Sequence, residues 1–184
     1  MASSENDFKP GLKGLPIRLY FQDEGRFGRI NTVQKCWCQK GKTPSVTQQL
    51  VREFTYAFSA VCPETGKAYS LIMPYADSEA MNIFLKELSN NQLDERIILC
   101  MDKAGWHTTK QLVVPDNIIL WFLPPYSPEL NPVELIWREL RAKYFNNQTF
   151  KSLKDVDNHL EFALKDFTKD KESVKKLTRI NYLY

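Results

Sequence analysis

Two short runs limit what this chain can fold into more than anything else in it. Residues 96–102, RIILCMD, and 117–123, NIILWFL, are apolar almost without a break. Neither alternates, so neither can lie with one face in water. Each reads as a strand buried on both faces, the pattern of parallel pairing beneath helices. Just ahead of the first run, DSEAMNIFLKELSNN reads as a helix. Asp77 or Ser78 caps it, and Met81, Phe84, Leu85 and Leu88 form its buried stripe. A helical crossover into RIILCMD requires parallel pairing across it. The first half of the chain has a different rhythm of strand and short turn. IRLYFQDE (17–24), FGRINTVQKCWC (27–38), VREFTYAFSAV (51–61) and YSLIM (69–73) suggest an antiparallel meander, with turns in QKGKTP and CPETGKAY. The sum is a mixed α/β sheet covered by helices. Its 184 residues suffice for one domain with a core, taken here as 16–184 behind a flexible lead-in at 1–15.

The second run leads into WFLPPYSPELNPVELIWRELRAKY, residues 121–144. Asn131 is placed as a helix N-cap, and Pro132 falls at the first helical position, where its missing N–H costs nothing. Val133, Trp137, Leu140 and Tyr144 repeat at helical spacing and dock the helix on a core. Glu134 sits beside that stripe. Asn131-x-x-Glu134 also fits a capping box, which by itself would explain the acid. A last amphipathic helix spans 152–167, with Leu153, Val156, Leu160, Ala163, Leu164 and Phe167 inward.

Three acids can be taken together, two of them closing otherwise apolar strands and the third opening a helix. Period-two alternation puts Asp23 on the face of Ile17, Leu19 and Phe21. Asp102 closes RIILCMD, and Glu134 opens the helix after the next strand. A strand-terminal aspartate is ordinarily a turn former or a surface charge. Parallel neighbouring strands would instead bring Asp23 and Asp102 together, with the first turn of the Glu134 helix over them. Crowded carboxylates repel and partly protonate. A divalent cation relieves that cost, and oxygen-only ligands suit Mg²⁺ or Mn²⁺ rather than zinc. Three such groups can hold two ions ~3.5–4 Å apart, the spacing used for in-line attack at phosphorus.

Other classes fall away. Cys36, Cys38, Cys62 and Cys100 form no CxxC pair, and only two histidines could join them at a metal. They read as reduced, buried or half-buried thiols, with Cys36 and Cys38 on one face of a strand. No apolar run is long enough to span a bilayer, and the N-terminus carries no signal core, so a cytoplasmic protein is expected. A net charge of +3 is compatible with a polyanion partner and does little to establish one.

The blocks FQDEGRFGR, IILCMDKAGWHTTK and LPPYSPELNPVELIWRELRAKY, with the closing KKLTRINYLY, resemble the catalytic domain of DDE transposases. The similarity is to the bacterial insertion-sequence branch of the mariner superfamily, and it covers nearly the whole chain from about Ile17 onward. It implies a ribonuclease H-like fold: a mixed five-stranded sheet, three strands antiparallel and then two parallel, flanked by helices. It implies cut-and-paste transposition with two Mg²⁺ or Mn²⁺ ions, DNA ends and target DNA as partners, and TA as the target dinucleotide. Residue by residue it maps the catalytic and metal-binding triad onto Asp23, Asp102 and Glu134. Two departures stand out. Lys103 follows the second acid where the family has a small or amide residue. Nothing ahead of Asp23 is long enough for the family's helix-turn-helix modules, so end recognition is expected from another polypeptide or a missing domain. Bringing two ends together makes a homodimer the expected assembly.

Around the triad, Arg26, Lys103, His107, Tyr126, Arg138, Arg141 and Lys143 are candidate DNA contacts. Long cations beside a two-metal site suit phosphates, and Tyr126 and Trp106 could stack on an unpaired base. Each has a plainer reading as a solvated charge or a packed ring. Arg26 and Arg29 are placed in or near a turn. Glu24 should point to the opposite strand face, and His159 is taken as structural. Two other functions remain compatible with the same fold: an inactive or regulatory DNA-binding remnant, and a structure-selective nuclease.

Overall fold

The computed structural model describes residues 8, 10–103 and 111–179. Its strands are β1 (Ile17–Ile30), β2 (Leu50–Val61), β3 (Ala68–Met73), β4 (Arg96–Met101) and β5 (Ile118–Phe122), and its helices α1 (Ser78–Asn91), α2 (Val133–Leu140), α3 (Leu153–Thr168) and α4 (Lys171–Thr178). They form one five-stranded sheet in the order β3-β2-β1-β4-β5. β1 and β2, and β2 and β3, pair antiparallel, while β1 and β4, and β4 and β5, pair parallel. This is the mixed sheet that the apolar runs and the meander imply, in the ribonuclease H-like form expected from the family resemblance; β5, however, is an edge strand with Trp121 exposed, not one buried on both faces.

Each sheet face carries its own core. On one side, α1 lays Met81, Phe84, Leu85 and Leu88 against Tyr20, Phe58, Ile97 and Leu99. On the other, α2, α3 and α4 cover Phe21, Phe27, Ala57 and Val61 with Val133, Trp137, Leu140, Val156, Leu160 and Val174. The caps are local and legible. Asp77 Oδ1 accepts from the Ala80 N–H at 2.9 Å, and Ser152 with Asp155 completes a capping box on α3. The CPETG turn closes through Cys62, whose carbonyl accepts from the Gly66 N–H at 2.8 Å, with Gly66 at φ +69°. Phe8, inside the stretch read as lead-in, is buried, and the Arg96 guanidinium lies 5.4 Å above its ring.

One expected strand does not form. Residues 27–30 are the end of a single fourteen-residue β1, and residues 31–49 leave the sheet. The glycines that look like a break are packing sites within the strand: a Cβ at Gly28 would lie 2.3 Å from Glu53 O, and one at Gly25 would lie 2.8 Å from Trp137 Cδ2. β2 begins opposite Ile30, so the polar residues beyond have no strand to pair with. Asn31 closes the base of this excursion by accepting from the Gln49 N–H and donating to Thr47 O, both at 2.8 Å. Cys36 and Cys38 are therefore exposed rather than buried, and Trp37 between them is fully exposed; Cys62 and Cys100 are buried. Arg26 and Arg29 lie within β1 and not at a turn.

Candidate active site

Strand register brings the first two acids to the same level. The parallel ladder of β1 and β4 ends at the pair Phe21 and Cys100. Asp23 and Asp102 each lie two residues further along these neighbouring strands. β1 continues past this point because β2 still supports it, with Asp23 opposite Ser59. β4 stops at Met101, which leaves Asp102 at the mouth of the sheet. Alternation places Asp23 on the face of Phe21, beneath α2.

The third acid arrives through the proline-rich loop. Pro128–Leu130 form one 3-10 turn, and Leu123 is anchored by donating its N–H to Met101 O at 2.8 Å. Asn131 then ties the loop to β1: its Nδ2–H donates to Gln22 O at 2.8 Å, and its Oδ1 accepts from the Val133 N–H at 3.2 Å. Asn131 is buried, so both bonds are sheltered from water. The backbone N–H of Asn131 goes to Pro128 O at 2.9 Å, so it does not need the Glu134 carboxylate that a capping box would supply. Glu134, the second residue of α2, is exposed and acts on Asp23 through its charge.

Asp23, Asp102 and Glu134 line one cavity of about 520 Å³, together with Lys103, Leu123, Asn131 and the loop 124–128. Asp23 is half-buried there, and its carboxyl is pushed up to about 7. Loss of solvent is the main cause, followed by the negative charges of Glu134 and Glu24. Hydrogen bonds to Trp137 and to the Glu24 backbone N–H act in the opposite direction. The Trp137 Nε1–H donates to Asp23 Oδ2 at 2.8 Å. The indole is buried and meets Phe27 edge-on, ring centres 5.9 Å apart.

This donor set suits a hard divalent cation. It offers oxygen only, is partly desolvated, and carries negative charges whose mutual repulsion raises the carboxyl of Asp23. Among the described residues no three His, Cys, Asp or Glu side chains stand close enough together to hold one ion. Asp23, Asp102 and Glu134 share one cavity wall as the oxygen donors available to a cation there.

A second, more open cavity of about 910 Å³ adjoins the first and shares Pro128, Asn131 and Glu134 with it. Arg138 and Arg141 line it, with Thr32 and Gln34 from the excursion. Of the other candidate contacts, Lys103 and Tyr126 line the acidic cavity. Tyr126 is fully exposed at φ +59°, a strained backbone for a residue of its size. Arg26 lies over the Phe54 ring at 4.6 Å, and its carbonyl accepts from Arg141. Lys143 lies in neither cavity and pairs with Asp166 at 3.7 Å. Arg29 bonds Glu53 and Phe150 O. Glu24 accepts from the Gln22 side chain, and His159 contacts Tyr144 O at 2.7 Å. His107 and Trp106 lie outside the described residues. Trp137 and Asn131, read from the sequence only as a core anchor and a cap, both reach the strand of the first acid, a contact that no local pattern signals.

The sheet is ribonuclease H-like, with one acid midway along β1, a second just past the end of the neighbouring β4, and a third from the helix after the last strand. Residues 18–157 match the family described as DDE superfamily endonuclease, and the chain belongs to that family. It is 48% identical over 107 residues to the Sinorhizobium fredii protein y4pE/y4sA, covering 58% of this chain and 79% of that protein. Among solved structures, the Mos1 strand transfer complex matches with a TM-score of 0.65 and 20% identity, covering 88% of this chain and 50% of that one. The Mos1 mariner paired end complex with Mn matches with a TM-score of 0.63 and 20% identity, over 88% and 51%. The chain thus spans about half the length of the Mos1 chains it matches.

Proposed function

We propose that this chain is the catalytic domain of a transposase, residues 16–184, which cleaves DNA at transposon ends and joins the freed 3′-hydroxyl to target DNA. One observation carries the reading: three acids, from segments far apart in sequence, line a single cavity in a member of an endonuclease family. Asp23, Asp102 and Glu134 would hold two Mg²⁺ or Mn²⁺ ions between them. Bound there, the cations supply charge neutralisation and Lewis acidity toward a phosphodiester.

The chain's own groups do the rest. Lys103, on the cavity wall, neutralises a phosphate oxygen beside the acids. Tyr126 projects from the proline-rich loop, where its exposed ring can stack on an unpaired base. Arg138 and Arg141 extend the contact surface into the adjoining cavity, so a strand laid across Glu134 meets acids on one side and cations on the other. Arg26 borders the same surface through Arg141. Lys143 is the weakest of these candidates because Asp166 already engages it. The reading extends to a homodimer, to end recognition by a separate helix-turn-helix module, to TA targets and to action on cytoplasmic DNA in a bacterium.

A plasmid-nicking assay tests it. Supercoiled DNA in Mn²⁺ should be nicked by the parent and left intact by a Glu134→Ala variant. An oligonucleotide ending in a free 3′-hydroxyl should then be joined to the plasmid, which a simple structure-selective nuclease would not do. DNA binding without cleavage in Mn²⁺ or Mg²⁺ would favour a regulatory remnant.

A further inference from the structure

We infer that Trp137 is a positioning residue, whose indole N–H holds the Asp23 carboxylate in the orientation that receives a cation. This rests on the metal-binding reading of the acids. The bond is short, 2.8 Å from Nε1 to Oδ2, and its donor belongs to a side chain 1% exposed. A buried indole N–H needs an acceptor, and most find a backbone carbonyl or a neutral side chain. Here it spends its single donor on an acid that faces the catalytic cavity.

Two features show that the site is built around this contact. Gly25 lies beneath the ring, where an added Cβ would come 2.8 Å from Trp137 Cδ2 and 3.0 Å from Cε2. Any larger residue two positions after Asp23 would displace the indole. The second feature is helical spacing. Glu134 and Trp137 are three residues apart on α2 and share a face. One helix therefore brings to Asp23 both a repelling carboxylate and the donor that restrains it. A carboxylate has about four lone-pair directions, so the indole N–H and the Glu24 backbone N–H leave others to face the cavity. Partners that orient ligands in this way change metal affinity without touching the metal.

The test is Mn²⁺ binding, followed by electron paramagnetic resonance, in the parent, Trp137→Phe and Gly25→Ala. Trp137→Phe keeps an aromatic ring while removing the donor and part of the buried ring volume. It should bind Mn²⁺ roughly 10–100-fold more weakly, the range for lost orienting partners, with an unchanged circular dichroism spectrum. Gly25→Ala, which moves the ring, should weaken binding in the same direction. A spectroscopic readout needs no change at Trp137. In protein labelled with ¹⁵N at the indoles, its Nε1–H resonance is assigned by substituting the other tryptophans. It should move when Mg²⁺ is added, and should shift without metal in Asp23→Asn. Equal Mn²⁺ affinity in parent and Trp137→Phe would overturn the inference and leave the metal reading standing. So would an indole resonance indifferent to both Mg²⁺ and Asp23→Asn in a parent that binds Mn²⁺. A parent that binds no Mn²⁺ would remove the metal reading and this inference with it.

Discussion

Asp23 is the residue on which the chemistry and the stability of this chain pull in opposite directions. Its carboxyl sits at about 7 in the fold against 3.8 in the free chain. The folded state therefore holds a proton that the unfolded state has already lost. Stability from this residue is fully present below pH ~4 and falls as pH rises toward ~7. In metal-free buffer at pH 8, Asp23→Asn should raise stability by on the order of 1–3 kcal/mol, measured by urea denaturation, because it removes a desolvated charge. The same variant should lose metal-dependent cleavage completely. In the parent, cleavage at limiting Mn²⁺ should rise with pH through about 7 as Asp23 gives up its proton. A profile flat from pH 5 to 9, with chemistry shown to be rate-limiting, would contradict that assignment. Asp23 was visible in the sequence as an acid on an apolar strand face. Its proton affinity was not, because that depends first on burial in the fold and then on the charge of Glu134, more than a hundred residues away.

At the scale of elements, α2 and the loop before it decide whether the acids meet. Asn131 bonds both β1 and the first turn of α2. Asn131→Ala should cost about 1–3 kcal/mol by denaturation, the penalty for buried partners left unpaired, and should weaken Mn²⁺ binding because Glu134 is no longer held against β1. Ser152→Ala, which breaks the capping box of α3, should cost about 1 kcal/mol and leave Mn²⁺ affinity unchanged. Together the two variants separate loss of stability from loss of the site. The helices were legible because periodicity and caps are local: Met81, Phe84, Leu85 and Leu88 in α1, and Val133, Trp137, Leu140 and Tyr144 along and just beyond α2, are all buried as their spacing indicates. The strand expected over 27–38 was not, because Gly25 and Gly28 imitate a turn. Their real role is to let Trp137 and Phe54 approach β1, which only the tertiary structure reveals.

For the whole molecule, the alternation of short strands with one helical crossover was enough to indicate a mixed sheet, since chain order constrains parallel and antiparallel pairing. The level of Asp23 with Asp102 follows from the register of β1 against β4, which a continuous apolar run such as RIILCMD cannot specify. The second cavity, with Arg138 and Arg141, arises where residues 31–49 return toward α2 through contacts such as Gln34 with Asn147. No local pattern announces it. Cation binding to the folded state alone should raise its stability, by about 2.7 kcal/mol at a hundredfold excess over Kd, and a chelator should reverse the gain. The most direct measurement is a crystal structure in saturating Mn²⁺, with the ions placed by anomalous scattering. The expected result is Mn²⁺ within ~2–2.5 Å of carboxylate oxygens from Asp23 and from its partners Asp102 and Glu134. Saturating Mn²⁺ with no ion at Asp23, or ions held elsewhere on the surface, would contradict the claim that these three acids form one catalytic centre.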